Sequence, residues 1–307
     1  MVRPAERRDA WAAFFMLFGF IGSHTVLETA RDALFLAKVP ASRLAWMYLA
    51  IAVVSLITNR IASRVAPNLV GRAALTTWTA LAGAITLVFA VLLPALGGAG
   101  LYALYVWSGV LTSLVLVHFW TLLSSLFTVT QAKRLYGLIG AGSVLGAIAG
   151  SAAAAGLARV ISPSSLVYVA AGGLFVTAAL PSLFRRQASP QALAGGSAKS
   201  SSLLADAEYV ARQPYARRVA WILIASSACF TLADYVFKSS VARNVPIEDL
   251  ASFLGSVSLV LNVLSLLSQL VLVQWLIRRF DLSRAIAVTP ALLLAFGLGA
   301  VVTPHLL

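Results

Sequence analysis

The chain has 307 residues, 60% of them hydrophobic and 11% charged, with a mean hydropathy of +0.91; no soluble core hides that much apolar surface, so a soluble globular fold is excluded. A formal net charge of +13 would suggest nucleic acid in a soluble protein, but here the basic residues flank apolar segments, so their charge is topological and no nucleic-acid partner is expected. The single cysteine, Cys229, excludes an internal disulfide and a thiolate metal site, and His24, His118 and His305 are scattered, so neither metal nor cofactor is expected.

Apolar windows of about 20 residues place membrane spans near Ala10 to Leu36, Leu44 to Ser63, Ala73 to Leu93, Leu101 to Val129, Leu138 to Leu157, Leu166 to Phe184, Ala216 to Phe237, Leu250 to Ile277 and Ala285 to Val302. Arg3, Arg7 and Arg8 precede a stretch too long for a signal h-region and without a small-residue cleavage site, so it reads as a retained first span. With the N-terminus cytoplasmic, inner segments hold Arg60, Arg64 and Arg72, then Lys133 and Arg134, then Arg185 to Arg218, then Arg278, Arg279 and Arg284. Only Arg31, Lys38, Arg43, Arg159, Lys238 and Arg243 lie at or near outer ends, in accord with the positive-inside rule. Pro94, Gly97, Gly98 and Gly100 predict a short outer turn between the third and fourth spans.

The longest polar interval, Arg185 to Arg218, contains Ser- and Gly-rich runs and a helical-looking Leu203 to Arg212. It divides the chain into a six-helix bundle over 1–186, a cytoplasmic central loop over 187–215 and a partial bundle of three helices over 216–307. At an offset of 206, Glu28 falls on Asp234, Asp32 on Lys238, Val39-Pro40 on Val245-Pro246 and Leu44-Ala45 on Leu250-Ala251. That is a parallel repeat of the kind relating six-span halves. The expected fold is therefore an all-α polytopic membrane protein, a major-facilitator-like helical bundle with about nine spans of an expected twelve, which implies a fragment or a truncated product.

Gly142, Gly146 and Gly150 recur every four residues and predict close helix packing in lipid. Gly140-Ala141-Gly142 lacks the spacing of a nucleotide loop and follows no strand, which excludes a Rossmann or P-loop reading. Asn262, Ser265 and Gln269 form a polar stripe facing either a cavity or a neighbouring helix.

Charges inside spans cost about 2.5 to 3.5 kcal/mol each on insertion scales, so they pair, line water or touch a polar solute. Glu28, Arg31 and Asp32 are spaced i, i+3 and i+4 on one helix edge, and Asp234 and Lys238 are i, i+4 on another. The repeat brings the two sets together, with Asp32 pairing Lys238 across the halves. Three carboxylates against two cations leave the group negative by one charge. Glu28 lies about 26 Å along the helix from Trp11, toward the outer third of a core roughly 30 Å thick. Three roles stay open: an outer-gate salt-bridge network, direct solute contact, or proton coupling by Glu28 or Asp234. No nucleophile, base and oxyanion donor share a depth, so no enzyme is expected.

Gln131-Ala132-Lys133-Arg134-Leu135-Tyr136-Gly137-Leu138-Ile139-Gly140-Ala141-Gly142, with Phe119-Trp120 before it, resembles the Ala-Lys-Arg-Phe-Tyr-x-Leu-x-Gly-x-Gly segment of the ATP/ADP translocase family of plastids and obligate intracellular bacteria. Thr25 to Leu34 resembles, without a gap, that family's first-helix segment Thr-Ile-Leu-Arg-Asp-Thr-Lys-Asp-Val-Leu. The resemblance is best in the first half and thins after Arg185. It implies alternating-access transport of nucleotides or similar phosphorylated solutes, ATP or ADP among them, across a bacterial inner (plasma) membrane. Arg31 occupies the position of a lysine important for activity in that family. Glu28 stands where the family pattern has arginine, Ala30 where it has threonine, and Gln131 where an acidic residue is common. Arg31, Lys238, His24 and Trp120 are the candidate substrate contacts; Glu28, Asp32 and Asp234 are the candidate gating or coupling groups; Lys133 and Arg134 form the cytoplasmic motif. The alternatives are a proton-coupled carrier of another small solute and a non-transporting sensor or scaffold of the same fold.

Overall fold

The computed structural model describes residues 3–65, 71–185 and 203–272. The helices are α1 (Pro4–Lys38), α2 (Leu44–Val65), α3 (Gly71–Leu126), α4 (Val129–Leu157), α5 (Pro163–Ala179), α6 (Leu203–Arg212), α7 (Pro214–Asn244) and α8 (Leu250–Leu267). Short 3-10 segments cover Ala41–Arg43 and Leu180–Leu183, and a π-helical turn, Ser268–Leu272, continues α8. Seven of the helices among the described residues are long and apolar enough to cross a membrane. The chain is an all-α polytopic membrane protein. The ninth expected span, Ala285 to Val302, and most of the central loop lie outside the described residues.

Local sequence sets the boundaries. Pro4, Pro163 and Pro214 each open a helix, where a missing N–H costs nothing and a fixed φ suits the first turn. Thr128 and Gln131 form a reciprocal capping box at the start of α4. Helix α3 has 56 residues, about 84 Å if straight, far more than one crossing needs. It is broken at Gly97, whose φ of 54° and ψ of −133° only glycine adopts freely. Trp107 Nε1 donates to Thr86 Oγ1 at 3.0 Å, although a straight helix would hold these residues about 32 Å apart. The two arms therefore fold back on each other, and α3 supplies the third and fourth expected spans joined by the expected turn.

Helix α1 sits at the centre, packed against α4, α5 and α3. A Cβ built on Gly142 would lie 2.6 Å from the Phe14 carbonyl oxygen, and those on Gly146 and Gly150 would press on the carbonyls of Phe18 and Gly22. The three contacts share one offset of 128 positions, so α1 and α4 run parallel in fixed register with their backbones touching. The same offset recurs one helical turn short of the chain start, where buried Glu6 meets Arg134 in an ion pair and also accepts from Gln131 Nε2 at 2.9 Å. Arg134 thus clamps two helices, a more specific job than marking topology, while Lys133 stays exposed. Replacing Glu6 with alanine removes the partner of a partly buried guanidinium. Thermal melting in detergent should register a loss of about 1 to 3 kcal/mol; an unchanged midpoint would remove the clamp from this account.

The repeat at offset 206 is physical. Helix α1 ends at Lys38 and α7 at Asn244, and the next residues, Val39 and Val245, are both extended, as residues before proline must be. The Val39 N–H reaches the Phe35 carbonyl at 2.7 Å and that of Val245 reaches Val241 at 3.0 Å; Arg43 to Pro40 and Asp249 to Pro246 close matching turns at 3.0 Å each. Leu44 and Leu250 then begin α2 and α8. Across the repeat, α8 packs on α4, with Gly255 close enough that a Cβ would stand 2.7 Å from the Ala155 backbone nitrogen. Asn262 of the polar stripe donates to Ser151 at 3.5 Å, so that residue faces α4. Ser265 and Gln269 bond each other at 3.2 Å.

Candidate functional site

The face on which α1 begins is called proximal below, and the face on which it ends, distal. Arg31 lies seven residues before the end of α1 and Lys238 six before the end of α7, so the charged group sits about 10 Å inside the distal helix ends. Arg31, Asp32 and Lys238 are 6%, 5% and 5% exposed.

These residues form one continuous chain of ionic contacts. Arg31 Nη2 lies 2.8 Å from Glu28 Oε1, and Arg31 Nε 3.1 Å from Asp32 Oδ1. The other Asp32 oxygen lies 2.9 Å from Lys238 Nζ, which is also 2.9 Å from Asp234 Oδ2. Tyr48 donates its hydroxyl to the same Asp234 oxygen. Asp32 therefore bridges the two cations, and the Asp32–Lys238 pair joins the two halves of the repeat. In a low-dielectric setting an ion pair persists when further hydrogen bonds support its charged groups.

The second arm of α3 supplies that support. Tyr105 is fully buried, places its ring 4.3 Å beneath the Arg31 guanidinium carbon, and has its hydroxyl 3.3 Å from Lys238 Nζ. The ring face attracts the cation and the hydroxyl meets the second one, so one side chain holds both. Ser108 accepts from Arg31 Nη1 and donates to the Tyr105 carbonyl at 2.9 Å. His24 Nε2 lies 3.1 Å from the Ser108 carbonyl, which fixes it as the protonated ring nitrogen. Its Nδ1 is 4.0 Å from Glu28.

Glu28 and Asp234 differ from Asp32. Their side chains are 45% and 40% exposed and both line a cavity of about 210 Å³ between α1, α7 and α8. Thr25, Thr29 and Ser258 add hydroxyls to the wall, and Phe237, Leu254 and Leu261 make the rest apolar. The cavity lies on the proximal side of the Asp32–Lys238 pair, since Thr25 on α1 and Leu261 on α8 are both farther from the distal turn. Helix α7 is buried only at Lys238, Ser239 and Val241, while Trp221, Ile222 and Phe230 nearer its start are exposed. Among the described residues α7 meets the first half at its distal end, whereas α8 stays packed on α4 as far as Asn262.

Of the residues singled out by sequence, Arg31, Lys238, Glu28, Asp32, Asp234 and His24 come together. Trp120 does not. It stands 12 residues from Ser108 on the same arm, about 18 Å away, with its ring against Phe119 and Tyr136 at 5.3 and 5.4 Å. It therefore stands apart from the ionic chain. His118 likewise sits against Trp78 at 5.5 Å. Tyr105, Ser108 and Tyr48 were not singled out, and the available signal was weak: polar side chains on spans that otherwise carry few.

The fold and site define an integral membrane protein with an ionised, water-accessible centre between two repeated helix hairpins. Residues 184–302 match the family model of the TLC ATP/ADP transporter. The motifs that carry the resemblance lie before Arg185, whereas the matched segment begins at its edge and contains Asp234 and Lys238, so the likeness does not thin there as expected. Comparison with curated proteins and with solved structures finds no match.

Proposed function

We propose that the chain is a secondary transporter that exchanges adenine nucleotides across a bacterial inner membrane by alternating access, on a helix arrangement of the major facilitator type with a cytoplasmic N-terminus. The observation that carries this reading is the Asp32–Lys238 ion pair of 2.9 Å across the repeat, with a cavity on one side of it. In this reading the distal face is the outer one, the ionic chain is the closed outer gate, and the cavity belongs to the inward-facing route.

Charge decides how an anion uses the site. Each nitrogen of Arg31 and the Lys238 ammonium already has a partner, and three carboxylates face two cations. A phosphate is repelled until a carboxylate leaves. Glu28 and Asp234 are the two that can leave, because they are half exposed and line the cavity, whereas Asp32 is held on both oxygens. Bidentate guanidinium–phosphate contact then replaces the Glu28–Arg31 pair. That exchange lies within α1; the gate opens when Lys238 is drawn from Asp32, the pair that joins α1 to α7, so a substrate that engages both cations binds the open and closed gates with different free energies, as coupling requires.

The protein reconstituted in liposomes and loaded with ATP should take up labelled ADP, fail to do so when loaded with buffer alone, and ignore an imposed pH gradient. Absence of nucleotide exchange in both cases would defeat the reading. A second reading, a proton-coupled carrier of an uncharged or cationic solute, is favoured by the surplus negative charge and by the exposure of Glu28 and Asp234; for it, uptake must follow the pH gradient.

A further inference from the structure

A second cavity, of about 530 Å³, lies on the distal side of the ionic chain between the end of α1, the turn after it and the last turns of α7. Lys38, Ser42, Tyr235, Ser239 and Arg243 supply its polar groups, and no carboxylate among the described residues lines it. Lys38 and Arg243 are two of the few cations that depart from the inside bias of the sequence, and the ionic chain uses neither of them. Basic residues at helix C-termini favour the helix dipole, which accounts for a cation at each end. It does not account for Ser239. That residue lines the cavity, is 5% exposed, and its Oγ has no hydrogen-bond partner. A buried hydroxyl left unpaired is costly, and a ligand in the cavity can supply the missing partner.

We propose that this cavity is a phosphate-binding vestibule, in which Lys38 and Arg243 draw in a phosphate anion and the Ser239 hydroxyl donates to one of its oxygens. Ser239 adjoins Lys238, so a phosphate seated there lies next to the cation of the closed gate. The proposal rests on the transporter reading for its purpose, which is to concentrate phosphorylated solute at the gate, but its chemistry is independent of that reading. A phosphate monoester of a solute and the phosphodiester of a lipid headgroup both satisfy it.

The test uses the full chain in nanodiscs of phosphatidylcholine and measures binding of inorganic pyrophosphate by calorimetry. The wild type should bind saturably, and Lys38→Gln/Arg243→Gln should weaken binding about tenfold by removing two charge-assisted contacts. Ser239→Ala should weaken it about threefold, as loss of one neutral donor does. Arg159→Gln, which removes an exposed cation that does not line the cavity, should leave the affinity within about twofold. Absence of binding by the wild type, or equal binding by the double variant, overturns the proposal. Adding phosphatidylglycerol to the nanodisc separates the two sources: a solute site retains its affinity, and a headgroup site loses it, with phosphatidylglycerol co-purifying with the wild type and not with the double variant. Pyrophosphate binding without ADP exchange supports the vestibule and refutes the transporter reading. Exchange without pyrophosphate binding does the reverse.

Discussion

Lys238→Ala is expected to abolish nucleotide exchange in liposomes and to lower the thermal midpoint of the purified protein by the largest amount of any single change in the site. The lysine ammonium is shared by Asp32 and Asp234 at 2.9 Å each, and its removal leaves three carboxylates around the single guanidinium of Arg31. Stripping one partner from a buried ion pair costs about 3 to 5 kcal/mol, because the other charge remains desolvated. Removing both charges costs less. Asp32→Asn/Lys238→Met should therefore recover most of the stability, since the isosteres fill the same space without a net charge. It should not recover exchange, because a neutral pair neither closes the gate electrostatically nor receives a phosphate. The seven tryptophans provide an intrinsic signal for melting, and labelled ADP uptake reads the activity. Exchange by Lys238→Ala at the wild-type rate would separate the ionic chain from transport.

The parts of this site that sequence makes legible are those set by local rules. Spacing of i, i+3 and i+4 puts Glu28, Arg31 and Asp32 on one edge whatever the tertiary fold. Val39-Pro40 and Val245-Pro246 end two helices for the same steric reason, so the repeat offset carries over from sequence to backbone without loss. Pro94 and Gly97 likewise announce the hairpin in α3. The parts not legible depend on which way a helix is rotated and on how far one arm runs beside another. Nothing local distinguishes buried Tyr105 from exposed Tyr168, and only the packing of α3 on α1 brings its ring under Arg31. Trp120 lies apart from the cluster for the complementary reason: it shares an arm of α3 with Ser108, while the helical rise carries it about 18 Å along that arm. Glu6, surrounded by Arg3, Arg7 and Arg8, reads as part of a basic segment, and only the register of α1 on α4 reveals it as the partner of Arg134.

The repeat is also unequal where it matters. Tyr48 on α2 caps Asp234 on α7, and the position related to Tyr48 by the offset of 206 is Leu254 on α8, which lines the cavity beside Glu28. Asp234 is thus held by a hydroxyl as well as by Lys238, while Glu28 has Arg31 with the more distant His24. If an arriving anion displaces one carboxylate first, it is Glu28. That order follows from one substitution of tyrosine by leucine between otherwise matching turns.

A leucine at Gly146 is expected to prevent folding altogether, and the reason lies in what surrounds the missing side chain. Contact here is with the Phe18 carbonyl and its α-carbon, parts of a helix backbone that cannot rotate aside as a flexible side chain would. Even Gly146→Ala forces α4 away from α1 along the whole shared register, because Gly142 and Gly150 stand on carbonyls at the same offset. Overpacking of this kind typically costs about 1 to 3 kcal/mol for one added group and more for a branched one. Gly137 and Gly140 provide the internal control. They belong to the same stretch of α4, yet a Cβ on either meets nothing within 4 Å, so alanine there should be neutral or add up to about 1 kcal/mol through helix propensity. Size-exclusion profiles and melting of the four variants in one detergent decide the matter. Equal behaviour of Gly140→Ala and Gly146→Ala would mean that α1 and α4 do not touch backbone to backbone. The register that carries Arg31 to Tyr105 and Asp32 to Lys238 would then lack its foundation, since α1 is positioned for both contacts by its seat on α4.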